Sequence, residues 1–284
     1  MAMTAATGPA RRPRFRTLIR GLAVVLSLVA AADLPARGDN QDTQEMRAKA
    51  ARLIAAYPDH LDRLDGTTLV WKDGTRMPFN DGVKDKSPEA LLEIPDIEDQ
   101  FAYVYPRAGA PIAPPPEHFD PGRIRNEAFF LKMYGDCKRG GVSDKLATID
   151  WLPRKKGGRL RVTTVNGIHE KLKRVSDELD ALPATFDTFL IPAAGAYACR
   201  AIAATTRRSG HAYGFAVDIN TRESDYWLWR KTGARSQDAY RNRIPLEIVR
   251  IFETHGFIWG GRWSHFDTMH FEYRPELLDA RPAP

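Results

Sequence analysis

The most regular alternation of apolar and polar residues lies between Asn166 and Pro183. Apolar side chains recur there at steps of four and three, at Ile168, Leu172, Val175, Leu179 and Leu182. This spacing places them on one face and predicts an amphipathic helix that ends at Pro183. The preceding stretch RLRVTTV, residues 159–165, alternates as a half-buried strand does.

Three further short strands are predicted in the second half of the chain, in the stretches FDTFLIP, GFAVDIN and MHFEY. A helix between the last two begins at Pro245 and ends at Gly256. Strands and helices are mixed here without a regular strand-helix alternation. The pattern therefore predicts an α+β fold rather than a doubly wound parallel sheet.

The first half of the chain has shorter patterns. Residues 43–57 have the alanine, leucine and charged content of a surface helix. Asp73 and Gly74 separate two apolar runs, and an Asp-Gly pair in that position predicts a hairpin. Ser87 then begins a short helix that ends before Pro95.

A proline-rich stretch, RAGAPIAPPPEHFDPG, follows these elements and is expected to be extended without a core of its own. It is the best candidate for a domain boundary. We therefore divide the chain into residues 33–119 and residues 120–284. The role of the first region stays open between a prosegment, a lid over a cleft and a part of one continuous domain.

Composition indicates a globular protein, since 43% of the 284 residues are hydrophobic and 27% are charged. The formal net charge of +6 is concentrated at the start of the chain. Residues 1–32 contain five arginines and no acidic residue, so the remainder is close to neutral. A near-neutral body provides no electrostatic argument for a nucleic-acid partner.

Residues 1–32 also have the three parts of a secretory signal peptide. An arginine-rich start is followed by the apolar run GLAVVLSLVAAA, which contains the small residues Ala30 and Ala32 near its end. The run stops sooner than a spanning helix of about 20 apolar residues requires. We therefore predict export to the periplasm or the extracellular space, with no membrane span after removal of the signal; an uncleaved anchor is the alternative.

Export changes the interpretation of Cys137 and Cys199, the two cysteines of the chain. In an oxidising compartment a disulfide between them is the expected state. It would restrain the backbone next to Arg200. Two buried free thiols are the alternative.

The stretch SGHAYGFAVDIN suggests one half of a metal site. Alternation along the strand places the Asp218 carboxylate on its small, polar side, and Gly214 allows the loop with His211 to fold back towards it. In the second stretch, HFDTMHFEY, His270 and Glu272 share one face of a strand. Two histidines and an aspartate are the ligands expected of one catalytic zinc ion per chain, with a fourth position left for water.

Two further residues have candidate catalytic roles beside this site. Asp267, three positions before His270, is a candidate general base that would transfer a proton from water to a leaving amine. Arg200 is the candidate that stabilises a developing oxyanion. Arg207 and Arg208 are alternatives, although a solvated surface pair is the favoured interpretation of both.

His265 and the nearby aromatic residues leave several interpretations open. His265 can be a metal ligand, a partner that orients a ligand, a substrate contact or an exposed loop histidine. Aromatic side chains at Tyr226, Trp227, Trp229 and Tyr240 can line a cleft, but packing against the sheet is favoured.

At this point the two stretches resemble a known family. RSGHAYGFAVDIN and HGFIWGGRWSHFDTMHFEYRPELL contain, in order, the motifs S-x-H-x-x-G-x-A-x-D and D/E-x-x-H of the zinc D-alanyl-D-alanine carboxypeptidases, the VanY-like cell-wall peptidases. The resemblance extends from Asp120 to Leu278 and includes DPGRIRNEAFF, MYGDC and GAYACR. It implies the α+β zinc-peptidase fold shared with the Hedgehog signalling domain, a small, mostly antiparallel sheet with flanking helices.

The resemblance also implies roles for individual residues. Its zinc ligands correspond to His211, Asp218 and His270, its catalytic carboxylate to Asp267, and its substrate-side arginine to Arg200. Ser209 matches the motif serine; together with His265 and Glu272 it is a candidate for substrate binding or for orienting a ligand. The base is aspartate where several relatives have glutamate, and GAYACR matches the family's tyrosine-arginine-serine pattern only loosely.

The sequence thus predicts an exported zinc metallopeptidase that acts on the stem peptides of peptidoglycan, with residues 120–284 as its peptidase domain. Removal of a terminal D-alanine is the leading hypothesis. An endopeptidase of the L-alanyl-D-glutamate type is the first alternative. A non-catalytic, zinc-containing module that binds cell-wall peptides is the second.

Overall fold

A computed structural model describes Gly8 and residues 37–203, 205–229 and 240–278. The predicted signal peptide, residues 1–32, lies outside the described residues apart from the single glycine. Among the helices in the described part of the chain, none has the length and apolar character needed to cross a membrane.

The N-terminal region contains two helices and a small sheet. These are α1 (Arg37–Ala56), the strands β1 (Leu61–Asp65), β2 (Thr68–Trp71) and β3 (Arg76–Pro78), and α2 (Pro88–Glu93). The strands pair antiparallel in the order β1-β2-β3, so the predicted hairpin at Asp73 is confirmed. Strand β1 was not predicted, because the sequence LDRLD does not alternate. Ser87 caps α2 as expected, since its side chain accepts a hydrogen bond from the amide of Ala90.

A second antiparallel pair and two helices follow. These are α3 (Glu127–Tyr134), β4 (Leu146–Asp150), β5 (Arg159–Thr163) and α4 (Ile168–Asp180). The amphipathic helix predicted from its periodicity is α4. Its apolar face is buried at the expected positions, Ile168, Leu172, Val175 and Leu179.

The strand predicted for FDTFLIP is wrong. These residues form a single helical turn, α5 (Asp187–Leu190), preceded by a 3-10 turn. Phe186, Phe189 and Leu190 follow the helical spacing i, i+3, i+4 and all pack against the core. Contact between that helical face and the core decides the conformation of a segment too short to show its own period.

The last sheet carries the residues of the predicted site. It consists of β6 (Ala216–Asp218), β7 (Phe257–Trp259) and β8 (His270–Tyr273), all antiparallel in the order β6-β8-β7. The helix α6 (Leu246–Thr254) precedes β7 and agrees with the helix predicted after Pro245. The register sets Asp218 opposite His270.

The fold is therefore α+β, built from small antiparallel sheets and several helices, as the sequence predicted. The N-terminal region shares the hydrophobic core with the rest of the chain. Tyr57 and Trp71 pack on Phe129, with ring centroids 6.1 and 5.3 Å apart. The Tyr57 hydroxyl also donates to a carboxylate oxygen of Glu276 at 2.7 Å.

Candidate metal centre

Three side chains converge where β6 and β8 pair. His211 comes from a 3-10 turn, Gly210–Tyr213, while Asp218 ends β6 and His270 begins β8. The His211 Nε2 atom lies 3.1 Å from Asp218 Oδ1 and 3.1 Å from His270 Nδ1. The third side of this triangle, from His270 Nδ1 to Asp218 Oδ1, measures 3.0 Å.

The turn that carries His211 depends on its flanking residues. Ser209 precedes it, and its side chain accepts a hydrogen bond from the His211 amide. Gly214 follows with a φ of 76°, and a Cβ atom there would lie 3.2 Å from the amide nitrogen of Thr163. A positive φ and this close approach both favour glycine. The chain can therefore reverse between His211 and the strand that carries Asp218.

Each imidazole is oriented by a partner on its other nitrogen. His211 Nδ1 donates to the backbone carbonyl of Ala196, and His270 Nε2 donates to a carboxylate oxygen of Glu272 at 3.1 Å. In a neutral imidazole the remaining nitrogen then carries the lone pair. Both lone pairs therefore point into the triangle, the arrangement that metal-binding histidines adopt.

The triangle fits a small divalent metal ion. Ligand atoms around a tetrahedral zinc ion, with bonds of about 2.0–2.1 Å, lie about 3.3 Å apart. The three atoms of the triangle lie 3.0–3.1 Å apart, and two nitrogens with one carboxylate oxygen are a common zinc donor set. His211, Asp218 and His270 can therefore hold a metal ion.

The charges of this group also favour a cation. Burial by itself raises the pKa of Asp218, but the neighbouring His211 and His270 outweigh it and hold the pKa well below the usual range. For His270, burial lowers the pKa, whereas the hydrogen bonds to Asp218 and Glu272 raise it to about 9. Two carboxylates thus stabilise positive charge at this point.

Asp267 lies beside the triangle in a different environment. Burial raises its pKa, and the negative charge of Asp218 raises it further. Its Oδ1 atom is buried and has no hydrogen-bond partner among the described residues. A carboxylate with a raised pKa and a free oxygen is suited to accept a proton.

Glu272 connects the centre to two buried arginines that sequence reasoning missed. Its carboxylate accepts hydrogen bonds from Arg125 at 3.0 Å and Arg274 at 3.4 Å, in addition to that from His270. Burial alone would raise the pKa of Glu272, but Arg125 and His270 outweigh it and lower the pKa to about 2. Arg125 lies in the stretch DPGRIRNEAFF, where nothing local distinguishes it from a surface arginine.

The other arginines predicted near the site differ in their exposure and in their ion-pair partners. Arg200 lines the cleft, with its side chain 49% exposed and its Nη2 atom 3.8 Å from Asp218 Oδ2. The favoured interpretation of Arg207 and Arg208 as a solvated pair is wrong. Arg208 pairs with Asp136 at 3.0 Å and Arg207 with Glu93 at 3.3 Å, because α2 and the start of α3 cover them.

His265 is not part of the triangle. Its Nδ1 atom lies 2.7 Å from a carboxylate oxygen of Asp120, and its ring stands edge-on to Trp227 with centroids 4.5 Å apart. Its ring does not converge with His211, Asp218 and His270, so the interpretation of His265 as a ligand to the same metal ion is wrong.

The centre opens into a cleft of about 210 Å³. Ser209 lines this cleft together with Tyr226 and Trp229, two of the aromatic residues for which packing on the sheet was favoured. Tyr240 instead packs on Phe266, with ring centroids 5.4 Å apart. Aromatic side chains therefore form part of the wall near the metal ligands.

Cys137 and Cys199 form the predicted disulfide, which joins positions 62 residues apart. One cysteine begins a 3-10 turn, Cys137–Arg139, and the other directly precedes Arg200. The bond therefore ties the segment after α3 to the segment that carries Arg200, a residue of the cleft.

Residues 203–273 match a family model described as D-alanyl-D-alanine carboxypeptidase. The matched segment contains the triangle of His211, Asp218 and His270 as well as Asp267. No curated protein and no solved structure gives a significant match to the chain. This match confirms the resemblance inferred from the two motifs, because the segment is similar to the D-alanyl-D-alanine carboxypeptidase family.

Proposed function

We propose that this protein is an exported zinc peptidase that removes the terminal D-alanine from peptidoglycan stem peptides. The observation that carries the proposal is the triangle of His211, Asp218 and His270 next to Asp267, within the segment that matches the family. A bound zinc ion would supply Lewis-acid chemistry, because it polarises a carbonyl group and lowers the pKa of water.

The residues of the chain then have separate tasks. The two histidines and Asp218 would hold the metal ion, and Ala196 and Glu272 orient the two imidazoles. Asp267 takes a proton from the attacking water and passes it to the departing amine. Its raised pKa makes it a stronger base than an aspartate of ordinary pKa. Arg200 stabilises the negative charge that develops on the carbonyl oxygen.

Two features support export. Cys137 and Cys199 form a disulfide, and structural disulfides persist in oxidising compartments. The arginine-rich and apolar stretches of residues 1–32 follow the pattern of a secretory signal. Peptidoglycan lies in the compartment that such a signal addresses.

The substitution Asp267→Asn tests the proposed base. We expect cleavage of a stem pentapeptide ending in D-alanyl-D-alanine to fall by about 10²–10⁴-fold, because the amide cannot accept the proton. Zinc binding should remain, since Asp267 is outside the triangle. Product masses and bound zinc are measured on the signal-free protein, with and without a chelator.

Asp225→Asn is a matched control, because Asp225 precedes a cleft residue but pairs with Arg243 rather than lining the cleft. This variant should cleave as the unsubstituted protein does. Full activity of Asp267→Asn would disprove the role of the base. Zinc-dependent cleavage at an internal bond would instead identify an endopeptidase, and zinc binding without any product would contradict the proposed activity.

A further inference from the structure

Three arginines line the cleft, and their partners differ. Arg125 donates three hydrogen bonds, one to Glu272 at 3.0 Å and two to the carbonyl oxygens of Gly122 and Arg208 at 2.6 and 3.2 Å. Arg200 is half exposed and lies near Asp218. The third, Arg123, is a buried cation whose ion pair with Asp120 is long, at 3.9 Å.

The side chain of Arg123 is only 7% exposed, yet it donates a single hydrogen bond to the described residues. Its Nη2 atom donates to the carbonyl oxygen of His265 at 2.8 Å, whereas Nε and Nη1 have no acceptor in the described ranges. The nearest carboxylate, that of Asp120, is 3.9 Å from Nε. That carboxylate already accepts from the amide and ring of His265 at 2.9 and 2.7 Å.

The position of Arg123 is held by its surroundings. Its guanidinium lies over the ring of Trp263, 5.1 Å from the centroid. The preceding Gly122 packs so closely on the same ring that a Cβ atom would lie 2.2 Å from it, so this turn requires glycine. A guanidinium fixed in this way loses little conformational freedom when it binds a ligand.

Arg123 also lies on the reacting side of the cleft. Its positive charge acts on Asp267 and on Tyr226, and both residues line the cleft with the metal ligands. The ion pair of Arg123 with Asp120 is long, at 3.9 Å, so a closer anion would stabilise the buried cation further, and guanidinium and carboxylate groups match in shape and charge. The chemistry therefore favours a carboxylate as the ligand.

We infer that Arg123 binds the terminal carboxylate of the peptide substrate and so determines that the enzyme cuts at the chain end. The inference rests on the proposed function and assigns a specificity-determining residue to it. An internal peptide bond has no carboxylate at that position and leaves the cation with only its long ion pair to Asp120. A free terminal carboxylate pairs with it, which favours carboxypeptidase over endopeptidase activity.

The test compares two peptides, diacetyl-L-lysyl-D-alanyl-D-alanine and its C-terminal amide. The unsubstituted zinc enzyme should cleave the acid with a kcat/KM about 10–100-fold above that for the amide, the effect of one charge-assisted hydrogen-bonded contact. Arg123→Gln should bring the ratio to within about threefold of one, and Arg123→Lys should keep part of the preference.

Arg200→Gln is the comparison within the same cleft. It should lower kcat for both peptides alike and leave their ratio unchanged, because Arg200 is assigned to the oxyanion. Arg76→Gln is the remote control, since Arg76 is exposed and pairs only with Asp65 on the N-terminal sheet. A second measurement uses the Asp267→Asn background, in which calorimetry should show tighter binding of the acid than of the amide, lost with Arg123→Gln.

An unchanged acid-to-amide ratio in Arg123→Gln, or loss of the ratio in Arg200→Gln instead, would overturn the inference alone. Absence of cleavage of both peptides by the unsubstituted zinc enzyme would overturn the proposed function and the inference with it. Thermal unfolding of each variant shows whether a substitution has damaged the fold, and Arg123→Lys keeps the test decisive if Arg123→Gln does not fold.

Discussion

Glu272 shows at the scale of a single residue how the candidate centre is held. Its side chain is fully buried and accepts hydrogen bonds from His270, Arg125 and Arg274. The carboxylate therefore both fixes the orientation of a metal ligand and pairs with Arg125, while it shares Arg274 with Glu276. Removing its charge should affect metal binding and folding together.

We expect Glu272→Gln to weaken zinc binding by about 10–100-fold, the usual effect of losing the partner of a metal-bound histidine. The free energy of unfolding should fall by about 3 kcal/mol, because Arg125 remains buried without its counter-ion, whereas Arg274 keeps its ion pair with Glu276. Competition with a zinc-binding dye and urea unfolding provide the measurements. Glu178→Gln is the control, since Glu178 pairs with His255 at the surface, and this substitution should change stability by less than about 0.5 kcal/mol. Unchanged zinc affinity in Glu272→Gln would exclude the role of Glu272 in positioning His270.

The same residue leads to a prediction for acid stability. The pKa of Glu272 is about 2 in the folded protein, below its ordinary value of 4.5. Ionised Glu272 therefore stabilises the fold above about pH 4.5, and this contribution is lost as the pH falls towards 2. Urea unfolding between about pH 5 and about pH 3 should show a smaller pH dependence for Glu272→Gln than for the unsubstituted protein.

At the scale of elements, α3 links the cleft to the N-terminal region. Asn126 is its N-cap, and its side-chain oxygen accepts from the amide of Phe129 at 2.9 Å. The amide nitrogen of the same side chain donates to the carbonyl oxygen of Pro95 at 3.0 Å, just after α2. One side chain therefore both starts the helix and joins it to the neighbouring element.

These two bonds can be separated by substitution. Asn126→Ala removes both and should lower the free energy of unfolding by about 2 kcal/mol. Asn126→Asp keeps the cap and loses only the bond to Pro95, so we expect a loss of about 1 kcal/mol. Urea midpoints of the two variants provide the comparison. Equal losses would show that the capping bond to the Phe129 amide contributes nothing to stability.

Elements differ in how well the sequence predicts them. The helix α4 is predicted because its apolar face repeats over several turns. The turn α5 is not, because four residues are too short for a period and contact with the core decides their conformation. Strand β1 forms by pairing with β2, which a local pattern cannot reveal.

At the scale of the whole molecule, residues 37–119 pack into the core of the rest. Tyr57 donates to Glu276, and Tyr105 donates to Glu253 at 2.8 Å. Arg262 donates in turn to the carbonyl oxygen of Ala110 at 2.7 Å, within the proline-rich stretch. We propose on these contacts that the two regions fold as one unit.

Truncation tests that proposal. A chain of residues 120–284 should fail to unfold cooperatively, because removing the N-terminal region exposes Phe129 and leaves Glu276 without the Tyr57 hydroxyl. A chain of residues 37–284 should unfold cooperatively and bind zinc. Circular dichroism during heating gives the comparison, and a cooperative, zinc-binding fragment of residues 120–284 would show that the N-terminal region is dispensable for folding.

Which side chains can form the metal centre follows from local sequence alone. His211 and Asp218 lie close together on a turn and the strand after it, and His270 begins a second strand with its own motif. Such residues can be recognised because local geometry and residue type already restrict what they can do. Their meeting point, however, depends on the pairing of β6 with β8.

The burial and the partners of the arginines in and near the cleft follow from tertiary contacts. Arg123, Arg125 and Arg207 look alike in the sequence, but burial and partners separate them: one is short of acceptors, one is neutralised by Glu272 and one pairs with Glu93. Charge and hydrogen bonding of a buried side chain are set by residues far away along the chain. Local sequence patterns carry no information about such distant partners.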